Sequence, residues 1–396
     1  MAPTNIVAFP TAARAASVGR RLIPGRLVDA RKAARINQVE LSERIGVTRQ
    51  AVSAYERGEK APEAETFSRI CVALDQPAAF FTSEDAPVFG EFSVRFFRKF
   101  GADTQRRNDA CAVFARWFVQ AAKYFEAQVN YPVVDVPCAT AAEPSGRYSE
   151  EEIEQAAEDC RRSWGLGLGP ISNVVSLVES KGIAVCRFGI ENEQINAFSF
   201  WNGDRPFIFC ASSQESGTRG RFDVAHELGH LILHRWIEAE ELEDPKILKL
   251  IEREADRFSG AFLLPRKSFP NEVYTPRLDA FLDLKRRWRV SIQAMIYRCG
   301  DLGIIDDQQK TNLYKQISFR KWKTKEPLDD AVSMPTEQPR LLRRAAEMVI
   351  NGNRKHPDEI VADLPFNRKT LEILCNLTPG ALAGTPAPDE NPLTFK

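Results

Sequence analysis

The chain has 396 residues, 43% hydrophobic and 27% charged, the ordinary balance of a soluble globular protein with two or three domains. Lys plus Arg and Asp plus Glu both number 54, so the net charge is zero and bulk electrostatics select no partner. The eight cysteines are scattered without a CxxC pair, and no apolar run approaches the ~18 residues a membrane span needs; reduced thiols, no cysteine–zinc site, no membrane and a cytoplasmic location are expected.

Residues 1–25 are rich in Ala and Arg and lack an apolar core segment. A transit peptide and a disordered leader share that composition. Residues 26–82 read as a compact helical domain. Residues 26–36 carry helical spacing. Asn37 stands where it can cap a helix over 38–45, with Glu40 at the reciprocal position of a capping box and Gly46 as the stop. Thr48 then caps a third helix over 49–57, ended by Gly58, and a fourth comes after Pro62 with Phe67, Ile70 and Leu74 on one face.

A helix, a short turn at Gly and a second helix make a helix-turn-helix. QVELSERIGVTRQAVSAYERGEKAP closely resembles the DNA-binding domains of XRE/Cro-family repressors. With a bacterial type of DNA reader directly after them, residues 1–25 are expected to be a disordered leader rather than a transit peptide. The resemblance implies that the second helix of the motif enters the major groove of a double-stranded operator. There Arg49 can fork onto guanine and Gln50 can pair with adenine, while Gln38, Thr48 and Ser53 suit phosphate or base contacts. Nine basic residues face seven acidic ones between 26 and 69, so phosphate attraction is modest and a homodimer is expected. A protein-interaction module of the same fold is the alternative.

Residues 83–131 are dense in Phe and Arg and read as an amphipathic helical connector, with apolar positions 110, 113, 114, 117, 118, 121, 124 and 125 forming a stripe. Packing on the next domain, a dimer seam and a nucleic-acid surface are the options. Residues 131–146 read as a linker. Helices are expected over 149–164 and 172–181, and strands over 183–188, 195–201 and 206–212. A strand edge there could hold an extended peptide by added β-pairing.

Residues 226–230 read His-Glu-Leu-Gly-His within an apolar helical flank. Two histidines four apart lie on one helix face, ~6 Å apart along the axis, so both can reach one Zn²⁺. Glu227 comes directly after the first ligand, where it can take a proton from the attacking water. The bland alternative is a helix with two ordinary histidines, but three of the chain's four histidines fall between 226 and 234. His234 lies a further ~6 Å along the helix, too far to close a tetrahedron. The third ligand is sought in IEREADRF, where Glu252 and Asp256 share a face. Glu252 is expected on the metal, Asp256 on the spare nitrogen of a histidine, and Glu254 turned away. Arg219 and Arg221 are expected to pair with Glu252 or Asp256 or to hold a substrate carbonyl, and Tyr297 is a weaker candidate donor.

RFDVAHELGHLILH and EREADRFSGAFLLP together resemble the ImmA/IrrE family of zinc metallopeptidases, over residues 148–310. Asp256 stands where the family often has Asn. The resemblance implies a gluzincin-like core, three protein ligands and cleavage of a partner protein, often a transcriptional repressor. The expected fold is mostly α with a small β-sheet (α+β): an all-α helix-turn-helix domain, then the peptidase domain, then a helical extension over 325–380 to which the sequence assigns no role. A DNA-binding repressor or antitoxin-type protein whose metal domain only senses or docks is the rival reading.

Overall fold

The computed structural model describes residues 22–83, 102–139, 147–188, 197–211, 216–238 and 240–383. Most of the expected leader, the first part of the connector (84–101), the end of the linker (140–146), the outer ends of the second and third predicted strands (195–196 and Ser212) and the tail from 384 lie outside the described residues. Contacts divide the described residues into two units: one takes those within 22–83, 102–129 and 345–383, the other those within 130–344. Among the described residues no helix is long and apolar enough to cross a membrane.

The first unit opens with α1 (Pro24–Ala33), α2 (Gln38–Ile45), α3 (Arg49–Glu56), α4 (Ala64–Ala73) and α5 (Ala78–Thr82). Local chemistry sets the starts and stops. Asn37 accepts from the Glu40 N–H while the Glu40 carboxylate accepts from the Asn37 N–H, a complete capping box. Gly46 ends α2 in the left-handed region at φ 67°, and Thr48 caps α3. Leu27, Leu41, Ile45, Val52, Phe67 and Ile70 close the core between these helices.

The long helix α6 (Ala102–Glu126) belongs to this same unit. Its expected stripe is buried at 110, 113, 117, 118, 121 and 125, but so is a second row, Cys111, Ala115, Val119 and Ala122. A helix buried on two sides is a core element, where the periodicity predicts an amphipathic one. The C-terminal helices complete that core. The chain leaves the second unit within α14 (Leu341–Asn351) and continues as α15 (Pro357–Asp363) and α16 (Arg368–Leu374). Phe366 packs against Trp117 and Phe80 at ring separations of 5.3 and 6.0 Å, and Asn367 donates to Asp75. Residues 325–380, expected as one extension, therefore divide: through Arg344 they belong to the second unit, and from Ala345 to the first. No helix lies over 325–340, and the change of partner falls inside α14 itself, so nothing local in the sequence marks it.

The second unit starts with α7 (Glu150–Ser163) and α8 (Val174–Ser180). A three-stranded sheet comes next, in the order β1 (Ala184–Phe188), β3 (Arg205–Ala211), β2 (Phe198–Asn202). β1 runs parallel to β3, pairing Ala184 with Phe207, and β2 runs antiparallel, pairing Phe198 with Phe209. β2 is the last strand of this order among the described residues, and it packs on the next helix, α9 (Gly217–Leu233), where the Ser199 hydroxyl donates to the Glu227 carbonyl at 3.2 Å. α10 (Pro245–Leu263) crosses α9 closely. Gly229 permits that approach: a Cβ there would lie 3.1 Å from a Phe258 ring carbon and 3.3 Å from the Ala255 Cα. α11 (Leu278–Trp288), α12 (Ile292–Asp301) and α13 (Asp307–Phe319) finish the unit around a core that includes Leu228, Phe258, Phe262, Trp288 and Ile296.

Candidate metal centre and reader helix

The close crossing of α9 and α10 brings His226, His230 and Glu252 together. The two Nε2 atoms lie 3.1 Å apart, and each is 3.7 Å from a Glu252 carboxylate oxygen. Two nitrogens bound to one Zn²⁺ at ~2.0–2.1 Å in a tetrahedron sit ~3.3 Å apart, so the spacing fits one ion. The donor set, two imidazoles and a carboxylate, suits the same metal. Glu227 is buried beside His226, and its Oε2 has no hydrogen-bond partner among the described residues. A buried, unpartnered carboxylate oxygen is costly in a merely structural position.

The outer contacts are ordered as well. Asp256 places its carboxylate 2.8 Å from His226 Nδ1, turning Nε2 toward the cluster. On the other side, His230 Nδ1 lies 2.9 Å from His234 Nδ1, and His234 Nε2 lies 2.8 Å from Glu254. Glu254 does turn away from the cluster, but toward His234 rather than solvent. Distance along the helix argues against His234 as a ligand and says nothing of its contact with His230, which sequence reasoning missed. The third histidine at the same four-residue step was the available signal.

Electrostatics reflect burial and neighbours. Burial opposes a charged His226, but Asp256, with Glu227 and Glu252 nearby, outweighs it and raises the imidazole to about 9. Burial holds His230 down at about 3, with the neighbouring His226 and His234 adding to the effect, so this ring is neutral. Burial lifts Glu227 to about 8.

The two arginines do not meet Glu252 or Asp256. Arg221, on α9, donates to the buried carboxylate of Glu337 and to the Ile171 and Ser172 carbonyls. Arg219 donates to the Lys323 carbonyl at 3.2 Å. Tyr297 is capped by the Lys310 ammonium, 4.2 Å from its ring centre.

In the first unit, Arg49 and Gln50 open α3 and are exposed. Thr48 is exposed but its hydroxyl oxygen accepts from the Ala51 N–H. Ser53 accepts from Arg57 at 2.5 Å, and the Gln38 amide donates to Glu56 at 2.8 Å. Glu56 also takes a two-pronged contact from Arg31, at 2.5 and 3.1 Å, an anchor between α1 and α3 that sequence reasoning missed. Of the five expected contacts, the side chains of Gln38, Thr48 and Ser53 are already engaged within the unit.

Residues 178–300 match the family model described as the IrrE N-terminal-like domain, and residues 27–81 match the helix-turn-helix model. No curated protein matches the chain. The chain accordingly joins an XRE-type helix-turn-helix DNA-binding domain to a metallopeptidase domain of the ImmA/IrrE family.

Proposed function

We propose that the protein is a transcriptional regulator that reads a double-stranded operator as a homodimer in the cytoplasm and hydrolyses one peptide bond in a partner protein, itself a regulator of the repressor or antitoxin type. The buried, unpartnered Oε2 of Glu227 beside the two-histidine, one-carboxylate cluster carries this reading. His226, His230 and Glu252 would hold Zn²⁺, which when bound lowers the pKa of water and polarises a carbonyl. Glu227 takes the proton of the attacking water and delivers it to the leaving amine. Its burial raises the carboxyl's pKa, so the ionised carboxylate is a stronger base than an exposed one. Asp256 holds His226 in place. A metal sensor without turnover, the rival reading, has no use for a buried base at Glu227.

Metal uptake supplies the test. In the metal-free protein His226 is protonated below about 9, and a cation needs its Nε2 lone pair. His230 is already neutral above about 3. Protons therefore compete at His226, and affinity should fall about tenfold for each pH unit below 9. At neutral pH, binding of about one Zn²⁺ per chain should release at least one proton. Calorimetry in buffers of different ionisation heat measures this; no stoichiometric uptake contradicts the site, and uptake without proton release contradicts a protonated His226.

On the reader side, Arg49→Ala should cost ~1–3 kcal/mol at the operator and relax preference at one base pair. Unchanged affinity for every DNA tested would favour the protein-interaction reading of residues 26–82.

A further inference from the structure

We propose that His234 and Glu254 form a positioning relay that decides which nitrogen of His230 carries its proton and so keeps His230 Nε2 open toward the cluster. The proposal rests on the reading of His226, His230 and Glu252 as a metal site. It starts from Glu254, whose two oxygens both face donors: Oε1 accepts from the Tyr148 N–H at 3.3 Å and Oε2 faces His234 Nε2 at 2.8 Å. Burial raises the Glu254 carboxyl while the Tyr148 N–H and the nearby Arg147 and Arg253 lower it; in its ionised form it only accepts, and the hydrogen in the second contact then sits on His234 Nε2. His234 is 2% exposed, which disfavours its cationic form. A neutral imidazole has one N–H, so His234 Nδ1 must accept. Its partner at 2.9 Å, His230 Nδ1, then donates, and the lone pair of His230 is left on Nε2. That is the atom 3.1 Å from His226 Nε2 and 3.7 Å from Glu252. Tyr148 fixes the base of the relay: its hydroxyl lies 2.9 Å from the Leu233 carbonyl at the end of α9.

Glu254→Gln probes the relay without changing shape. A glutamine has one carbonyl oxygen for two donors, so its NH₂ faces either Tyr148 or His234. Against His234 it reverses every tautomer in turn and puts the proton on His230 Nε2. In the full-length chain, competition with a chromophoric chelator should show Zn²⁺ affinity falling 10–100-fold, while the metal-free unfolding midpoint stays at the wild-type value. His234→Leu should show the same loss, and His234→Gln, which restores an acceptor for His230, should recover much of it. The visible spectrum of the Co²⁺ form should change in the first two variants. If His234→Leu fails to fold, Glu254→Leu, which offers His234 no acceptor in either orientation, decides. Wild-type affinity and spectrum in His234→Leu or Glu254→Leu, with metal lost in His230→Ala, would overturn the relay and leave the metal site standing. Wild-type metal content in His230→Ala would overturn the site itself.

Discussion

Glu227→Gln should lower peptide-bond hydrolysis by ~10²–10⁴-fold while leaving Zn²⁺ content, folding and operator affinity at wild-type values. The carboxylate is not among the three clustered donor residues, so its amide should not cost the ion. Its Oε2 has no partner to lose among the described residues, so the substitution breaks no structural hydrogen bond there. The reader helices belong to the other compact unit. What disappears is the group that moves the proton. Single-turnover kinetics beside elemental analysis separate these effects. A variant that regulates its genes like wild type, while His230→Ala does not, would instead mark the domain as a metal-dependent sensor.

Glu337→Ala should destabilise the second unit by ~3–5 kcal/mol, because it strands a buried charge. Glu337 accepts from Arg221 on α9 and from the N–H groups of Val174 and Val175 at the start of α8, at 2.8 and 3.0 Å. Arg221 is 3% exposed and cannot turn to water. Its links to the Ile171 and Ser172 carbonyls carry no compensating charge. Denaturant unfolding of the full chain, with one probe in each unit, measures the loss. A shift below ~0.5 kcal/mol, ordinary for a surface change, would show that the carboxylate is dispensable.

These two residues mark the division between what the sequence discloses and what it conceals. Capping chemistry is local, so Asn37, Glu40, Gly46 and Thr48 announce α2 and α3 almost to the residue. Helical periodicity is local too, which is why the four-residue steps 226–230 and 252–256 bring the site's residues to matching faces of α9 and α10. The partner of Arg221 is not legible: Glu337 lies 116 residues away and sits in no pattern of its own. The same holds for Phe366, which fills the core of the first unit from the far end of the chain. Helical spacing speaks to His234 only as a ligand; its place beside His230 depends on Glu254, whose face toward the ring comes from the crossing of two helices.

The central claim is hydrolysis of a partner protein by the zinc-loaded chain. Its most direct test is to incubate the full-length protein with candidate repressor- or antitoxin-type regulators from the same cell and to track each regulator by mass spectrometry. The wild-type chain should cut one peptide bond, lose that activity on chelation, regain it with added Zn²⁺ and lack it as Glu227→Gln. Regulators that all stay intact with the zinc-loaded wild type, or one cut equally by the Glu227→Gln chain, would contradict it.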